Sequence, residues 1–110
     1  MDSSQLLKGV LDLAVLAVLA DQDGYGYDVV RRLRAAGLED VGDASVYGTL
    51  RRLFRQGRLT SYVVPSEEGP NRKYYGLNEA GREVLKEATG RSTTFVKAMD
   101  TLLGVGTEAR

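Results

Sequence analysis

Apolar residues recur at helical spacing in four stretches of the chain and alternate in two. Together these stretches predict a mainly α fold with a small β-hairpin. The first helix is predicted from about Ser4 to Ala20, capped by Ser3 or Ser4, with Leu6, Leu7, Val10, Leu11 and Ala14 on one side. From Leu13 onward it is apolar all round, so it needs cover on every side. Asp21 to Gly24 reads as a turn. Tyr25-Gly26-Tyr27-Asp28 then opens a second helix that buries Val29, Val30 and Leu33, exposes Arg31, Arg32 and Arg34, and stops at Gly37. A third helix starts at Asp43 as N-cap. With Leu50 at the centre of its buried face and a rotation of about 100° per residue, Val46, Leu53 and Phe54 complete the stripe. Ser45, Gly48, Arg52 and Arg55 fall opposite, flanked by Thr49, Arg51 and Gln56, with Tyr47 on the boundary.

Two strands follow. Arg58 to Pro65 leads out, and Arg72 to Leu77 returns beyond the turn at Gly69-Pro70. The last helix is predicted from near Asn78 to Leu103. Its Leu85, Ala88, Ser92, Phe95, Met99 and Leu102 are spaced as the seam of a helix pair, interrupted by small and polar residues from Gly90 to Thr94. The pattern is that of a winged helix-turn-helix over residues 1–77, followed by a C-terminal dimerisation helix over 78–104 in the same compact unit and a frayed tail over 105–110.

Composition narrows the chemistry. The 110 residues suffice for one domain and include neither cysteine nor histidine. Disulfides, thiolate metal sites and a histidine-activated nucleophile are therefore excluded, and no carboxylate spacing suggests a metal site, so an enzyme is not expected. The longest apolar run, Leu13 to Ala20, is much shorter than the roughly 20 residues of a membrane span. The N-terminus lacks the positive flank of a signal peptide, which makes a cytoplasmic protein the expectation.

Formal net charge is zero, which by itself argues against nucleic acid. The charges are segregated, however. Arg51, Arg52, Arg55 and Arg58 lie in a stretch from Ala44 to Pro65 that contains no acid. A local field within a Debye length of about 8–10 Å is what a polyanion meets. On the third helix, small residues would let the axis approach a DNA groove while guanidiniums donate paired hydrogen bonds to guanine edges or phosphates. Candidate DNA contacts are Ser45, Tyr47, Gly48, Thr49, Arg51, Arg52 and Arg55 on that helix and Arg72 and Lys73 on the hairpin, with Lys8 and Tyr25 as further backbone contacts. Arg51 lies nearer the flank and either contacts DNA or pairs with an acid. The competing reading is a protein-interaction module in which the same fold and seam serve a partner protein.

Five stretches give the chain a resemblance to the PadR family of transcriptional regulators. They are Leu6-Leu7-Lys8-Gly9, Tyr25-Gly26-Tyr27-Asp28, Val46-Tyr47-Gly48-Thr49-Leu50-Arg51-Arg52-Leu53, Gly69-Pro70-Asn71-Arg72-Lys73-Tyr74-Tyr75-Gly76-Leu77 and Asn78-Glu79-Ala80-Gly81-Arg82. The resemblance implies a homodimeric repressor whose third helix enters the major groove and whose hairpin wing grips flanking phosphates or the minor groove. It also implies a short C-terminal helix exchanged across the dimer through Leu6, Val10 and the seam residues, framing a cavity for a small-molecule inducer near Ser92, Phe95 and Met99. No cofactor or metal is implied. Two positions depart from the family pattern. Gly48 stands where proline usually follows the tyrosine, and the chain has no tryptophan to stack flat ligands in the last helix.

Overall fold

The computed structural model describes the backbone over residues 3–104 and side-chain surroundings over residues 10–104. The first helix, α1, runs Ser3–Asp21, and a two-residue strand, β1, Gly24–Tyr25, leads into α2, Gly26–Ala35. The third helix, α3, spans Asp43–Arg55. The hairpin strands are β2, Leu59–Val64, and β3, Arg72–Leu77, and the last helix, α4, is Glu79–Leu103. The sheet is antiparallel in the order β1-β3-β2. The strand β1 was not foreseen: Gly24 pairs with Tyr75 and Tyr25 with Tyr74, so the turn before α2 supplies a third edge to the hairpin. The tail from 105 lies outside the described residues, as do the side chains of Ser3 and Ser4, expected to cap α1, and those of Leu6 and Lys8.

One core joins these elements. Leu11, Val15, Leu16 and Leu19 of α1, Val29, Val30 and Leu33 of α2, Val46, Leu50 and Leu53 of α3, and Leu59, Tyr75 and Leu77 of the sheet are all buried. The apolar helix α1 is thus covered by α2, α3, α4 and β3, which explains why it lacks a polar face. Asn78 caps α4 as expected, its side-chain oxygen accepting from the Gly81 N–H at 2.8 Å. Gly81 is required there, because a Cβ would collide with the Arg58 carbonyl oxygen.

Several expectations on the helix ends need correction. Gly42, not Asp43, is the N-cap of α3, and Asp43 is its first helical residue, with its carboxylate engaged by Arg34 at 3.0 Å. On α2, Arg31 is exposed as expected but Arg32 is not. The Arg32 guanidinium turns inward and donates to the Val18 carbonyl at 2.6 Å and to Asp28 at 3.2 Å, tying the end of α1 to α2. Arg34 reaches across to the Val41 carbonyl at 2.9 Å. These two arginines hold the scaffold.

The seam of α4 divides in two. Val84 and Leu85 are half-buried against the core, so Leu85 serves the domain itself as well as the seam. Ala88, Ser92 and Met99 are half-buried. Phe95 is 64% exposed, Val96 50%, Leu102 77% and Leu103 65%, and Val10 on α1 is 43% exposed. Ala88 onward therefore carries an apolar stripe that this chain does not cover by itself.

Candidate nucleic-acid interface

The third helix sets the geometry. Its buried residues are Val46, Thr49, Leu50 and Leu53, while Phe54 is 42% exposed. At 100° per residue the buried stripe is therefore centred about 50° from Leu50, on the Thr49 side. That rotation moves two predicted contacts off the groove-facing side. Thr49 is buried, its hydroxyl donating to the Ser45 carbonyl at 2.8 Å, so it cannot meet DNA. Arg52 turns to α1 and makes two hydrogen bonds with the Asp12 carboxylate, at 2.9 and 2.5 Å. The carboxylate holds the Arg52 pKa above its ordinary value, chiefly through those hydrogen bonds. The same rotation brings Tyr47, Arg51 and Phe54 beside the wing. Arg51 is exposed and makes no ion pair among the described residues.

A cleft of about 420 Å³ opens between the start of α2, α3 and the wing. Tyr25, Tyr47, Arg51, Arg72 and Lys73 line it, over a floor that includes Leu50 and Tyr75. Tyr47 approaches so closely that a Cβ on Gly26 would lie 2.6 Å from its ring, which accounts for the glycine in Tyr25-Gly26-Tyr27. Arg72 lies over the Tyr25 ring, with 4.5 Å from guanidinium carbon to centroid. Tyr25 in turn packs on Tyr74 at 5.4 Å, and Tyr74 on Tyr62 at 5.8 Å, one aromatic from each strand. Lys73, on the other face of β3, sits 5.5 Å from the rings of both Phe54 and Tyr75. Alternation along the strand thus splits the two wing cations, as expected, yet the cleft edge takes in both. At the far end of the aromatic row the Tyr62 hydroxyl donates to Asp23, and this hydrogen bond raises the Tyr62 pKa above its ordinary value.

Ser45 and Arg55 are exposed on α3, and the Cβ position of Gly48 meets nothing nearer than the Arg51 guanidinium at 4.0 Å. The arrangement therefore brings together Tyr25, Tyr47, Arg51, Arg72 and Lys73, leaves Ser45, Gly48 and Arg55 open along the same helix, and withdraws Thr49 and Arg52. Sequence reasoning passed over Asp12 as the partner of Arg52, although it is the one acid of α1 before its last residue, Asp21. Ser92, Phe95 and Met99 line neither this cleft nor a second one between α1, α3 and α4.

Residues 15–87 match the family described as the transcriptional regulator PadR-like family. The chain belongs to that family. A PadR-like transcriptional regulator from Bacillus cereus is 30% identical, with a TM-score of 0.81 over 90% of this chain and 96% of its own. A Streptococcus transcriptional regulator is 31% identical, with a TM-score of 0.79 over 89% of this chain and 96% of its own. A PadR-family regulator from Eggerthella lenta reaches 0.80 at 29% identity, covering 96% of this chain and 88% of its own. A protein of unassigned function from Lysinibacillus sphaericus is 27% identical over 89 residues, 79% of this chain and 82% of that protein. Membership makes this PadR-family chain a DNA-binding transcriptional regulator and not an enzyme. Among the described residues, the four helices and the three-stranded sheet form the winged helix-turn-helix fold expected from the sequence. No described helix is long and apolar enough to cross a membrane.

Proposed function

We propose that the protein is a homodimeric, ligand-responsive repressor that occupies an inverted-repeat operator, with α3 in the major groove and the wing on the flanking backbone. The observation that carries this reading is the sorting of the arginines. Ion pairs among the described residues engage Arg31, Arg32, Arg34 and Arg52, whereas Arg51, Arg55, Arg72 and Lys73 make none and face outward on α3 and the wing. Arg51, Arg72 and Lys73, cations without an acidic partner gathered around Tyr25 and Tyr47 in one cleft, suit a phosphodiester backbone. Arg51 and Arg55, one turn apart and next to the open backbone at Gly48, are the groove-facing pair on α3.

The exposed stripe of Phe95, Val96, Leu102 and Leu103 on α4, with Val10 on α1, supports pairing with a second copy. Two such copies place two α3 helices on one side of the duplex, which calls for half-sites about one turn, 34–36 Å, apart. The inducer expected beside Ser92, Phe95 and Met99 would lie in the dimer interface. It can release the operator only by binding one dimer geometry better than the other. Fluorescence anisotropy of the full chain against DNA from its own promoter, across a salt series, tests the reading. A steep log–log salt dependence with at least about tenfold preference over scrambled DNA supports it. Equal and weak binding to every duplex would instead favour a protein-interaction module.

A further inference from the structure

The cleft between α1, α3 and α4 lies apart from the DNA-facing surface and has no part in the reading above. Its volume is about 390 Å³, within the range of small-ligand sites. Leu16 and Leu53, both buried, belong to its floor. Arg52, Arg58 and Arg91 all line it, against only two acids, Asp12 and Glu87. Asp12 is committed to Arg52. Arg58 and Arg91 make no ion pair among the described residues, although Glu87 lines the same cleft. With Arg52 paired to Asp12, Arg58 and Arg91 stand against the single carboxylate of Glu87, so the lining carries one net positive charge that a bound anion would offset.

We propose that this cleft binds a small oxyanion, a carboxylate or a phosphate monoester, through Arg58 and Arg91 with Arg52 behind them. Planar guanidinium forks match both groups in geometry, and the Leu16–Leu53 floor admits a small apolar body. Arg58 leaves the end of α3 and Arg91 sits in the middle of α4, so an oxyanion shared by them ties the DNA-facing helix to the helix that carries the exposed stripe. It also competes with Asp12 for Arg52. Occupancy therefore changes how α3 is held on α1. The consequence for DNA rests on the repressor reading, whereas the binding itself does not.

Isothermal titration of the full chain with inorganic phosphate and with citrate, at ionic strength held constant with chloride, tests the site without DNA present. Saturable binding is expected for at least one probe, and Arg58→Gln/Arg91→Gln should weaken it by about tenfold or more. Response to phosphate alone assigns the phosphate monoester class, and response to citrate alone the carboxylate class. No saturable binding, or binding unchanged in the double variant, overturns the proposal. Circular dichroism confirms that the variant is folded; its substitutions fall on an exposed and a half-buried residue outside the core. In a second arm the saturating probe should shift operator affinity of the parent protein about fivefold or more, and that of the double variant much less. Binding without any difference between the two overturns the regulatory half alone.

Discussion

Arg51 and Arg52 are neighbours in sequence, and exchanging which of them is removed separates DNA binding from stability. Arg51 lines the cleft with no ion pair among the described residues, so Arg51→Ala should leave stability within about 0.5 kcal/mol of the parent. Its loss from the interface should cost about 1–3 kcal/mol of operator binding if it reads a base edge, a factor of about 5 to 150. If it neutralises a phosphate, the log–log salt slope should fall by about 1. Arg52 behaves in the opposite way. Its side chain is 41% exposed and that of Asp12 50%, so their two-pronged pair is screened by solvent. An exposed pair is worth about 0.2–1 kcal/mol, and the paired geometry puts this one near the top of that range. Arg52→Ala should therefore lower the denaturant midpoint by a stability loss of about 1 kcal/mol with no change in slope, and weaken the operator less than Arg51→Ala does. Anisotropy across a salt series and urea melts of both variants provide the comparison. The reasoning fails if Arg52→Ala gives the larger affinity loss with stability intact.

Other consequences follow from single contacts. Gly48→Ala should stabilise the protein by about 1 kcal/mol, because a Cβ there meets only the Arg51 guanidinium, at 4.0 Å, yet weaken operator binding if the duplex approaches that stretch of backbone; melts and anisotropy read the two separately. Gly81→Ala forces a Cβ onto the Arg58 carbonyl oxygen at the start of α4, and thermal unfolding should show a loss of about 1–3 kcal/mol. Phe95→Asp/Leu102→Asp alters residues exposed in the single chain, so sedimentation should report folded monomers with steeply reduced operator affinity. Tyr62 titration should lie above the ordinary value of 10.0, because deprotonating it breaks the bond to Asp23 and sets two anions together. A raised folded-state pKa means this stabilising contribution is present below the unfolded value and fades as pH rises through the folded one. Stability lost to alkali should therefore be smaller in Tyr62→Phe, as followed by tyrosinate absorbance and melts.

Local signals carried the elements well. Asn78 announces α4 because its side chain caps within three residues, and Gly37 ends α2 with a backbone φ of 118° that a β-carbon resists. The turn at Gly69-Pro70 separates two alternating runs and places the wing. The strand β1 escaped notice because its pairing with Tyr74 and Tyr75 is decided by a chain segment about fifty residues away. Two residues carry no periodicity. The rotation of α3 was hidden for a related reason. Phe54 is more apolar than Thr49, so hydropathy centred the stripe between Leu50 and Phe54, whereas Thr49 satisfies its hydroxyl on the Ser45 carbonyl and is buried without cost. Phe54 remains half in solvent because Lys73 and Tyr75 cover its ring from one side.

That rotation also shows how a chain of zero net charge can be a DNA-binding protein. Arg31, Arg32 and Arg34 on α2 are matched by Asp21, Asp28 and Asp43, and Arg52 by Asp12; these pairs neutralise one another and, except for the two on Asp28, join separate parts of the scaffold. Net charge counts them at full value although they project little field. On α3 and the wing strand β3, Arg51, Arg55, Arg72 and Lys73 remain, held over aromatic rings or exposed, and no acid of the described ion pairs opposes them. Glu67 and Glu68 are solvated in the loop between the wing strands, close in sequence to Arg72 and Lys73. Their position has a kinetic consequence. Acids on a wing tip repel phosphates until the tip has settled, so Glu67→Gln/Glu68→Gln should raise the association rate at low salt by several-fold and lose that advantage at high salt. Stopped-flow anisotropy at two ionic strengths measures it. An effect on dissociation alone, insensitive to salt, would mean the wing tip touches DNA directly instead of steering it.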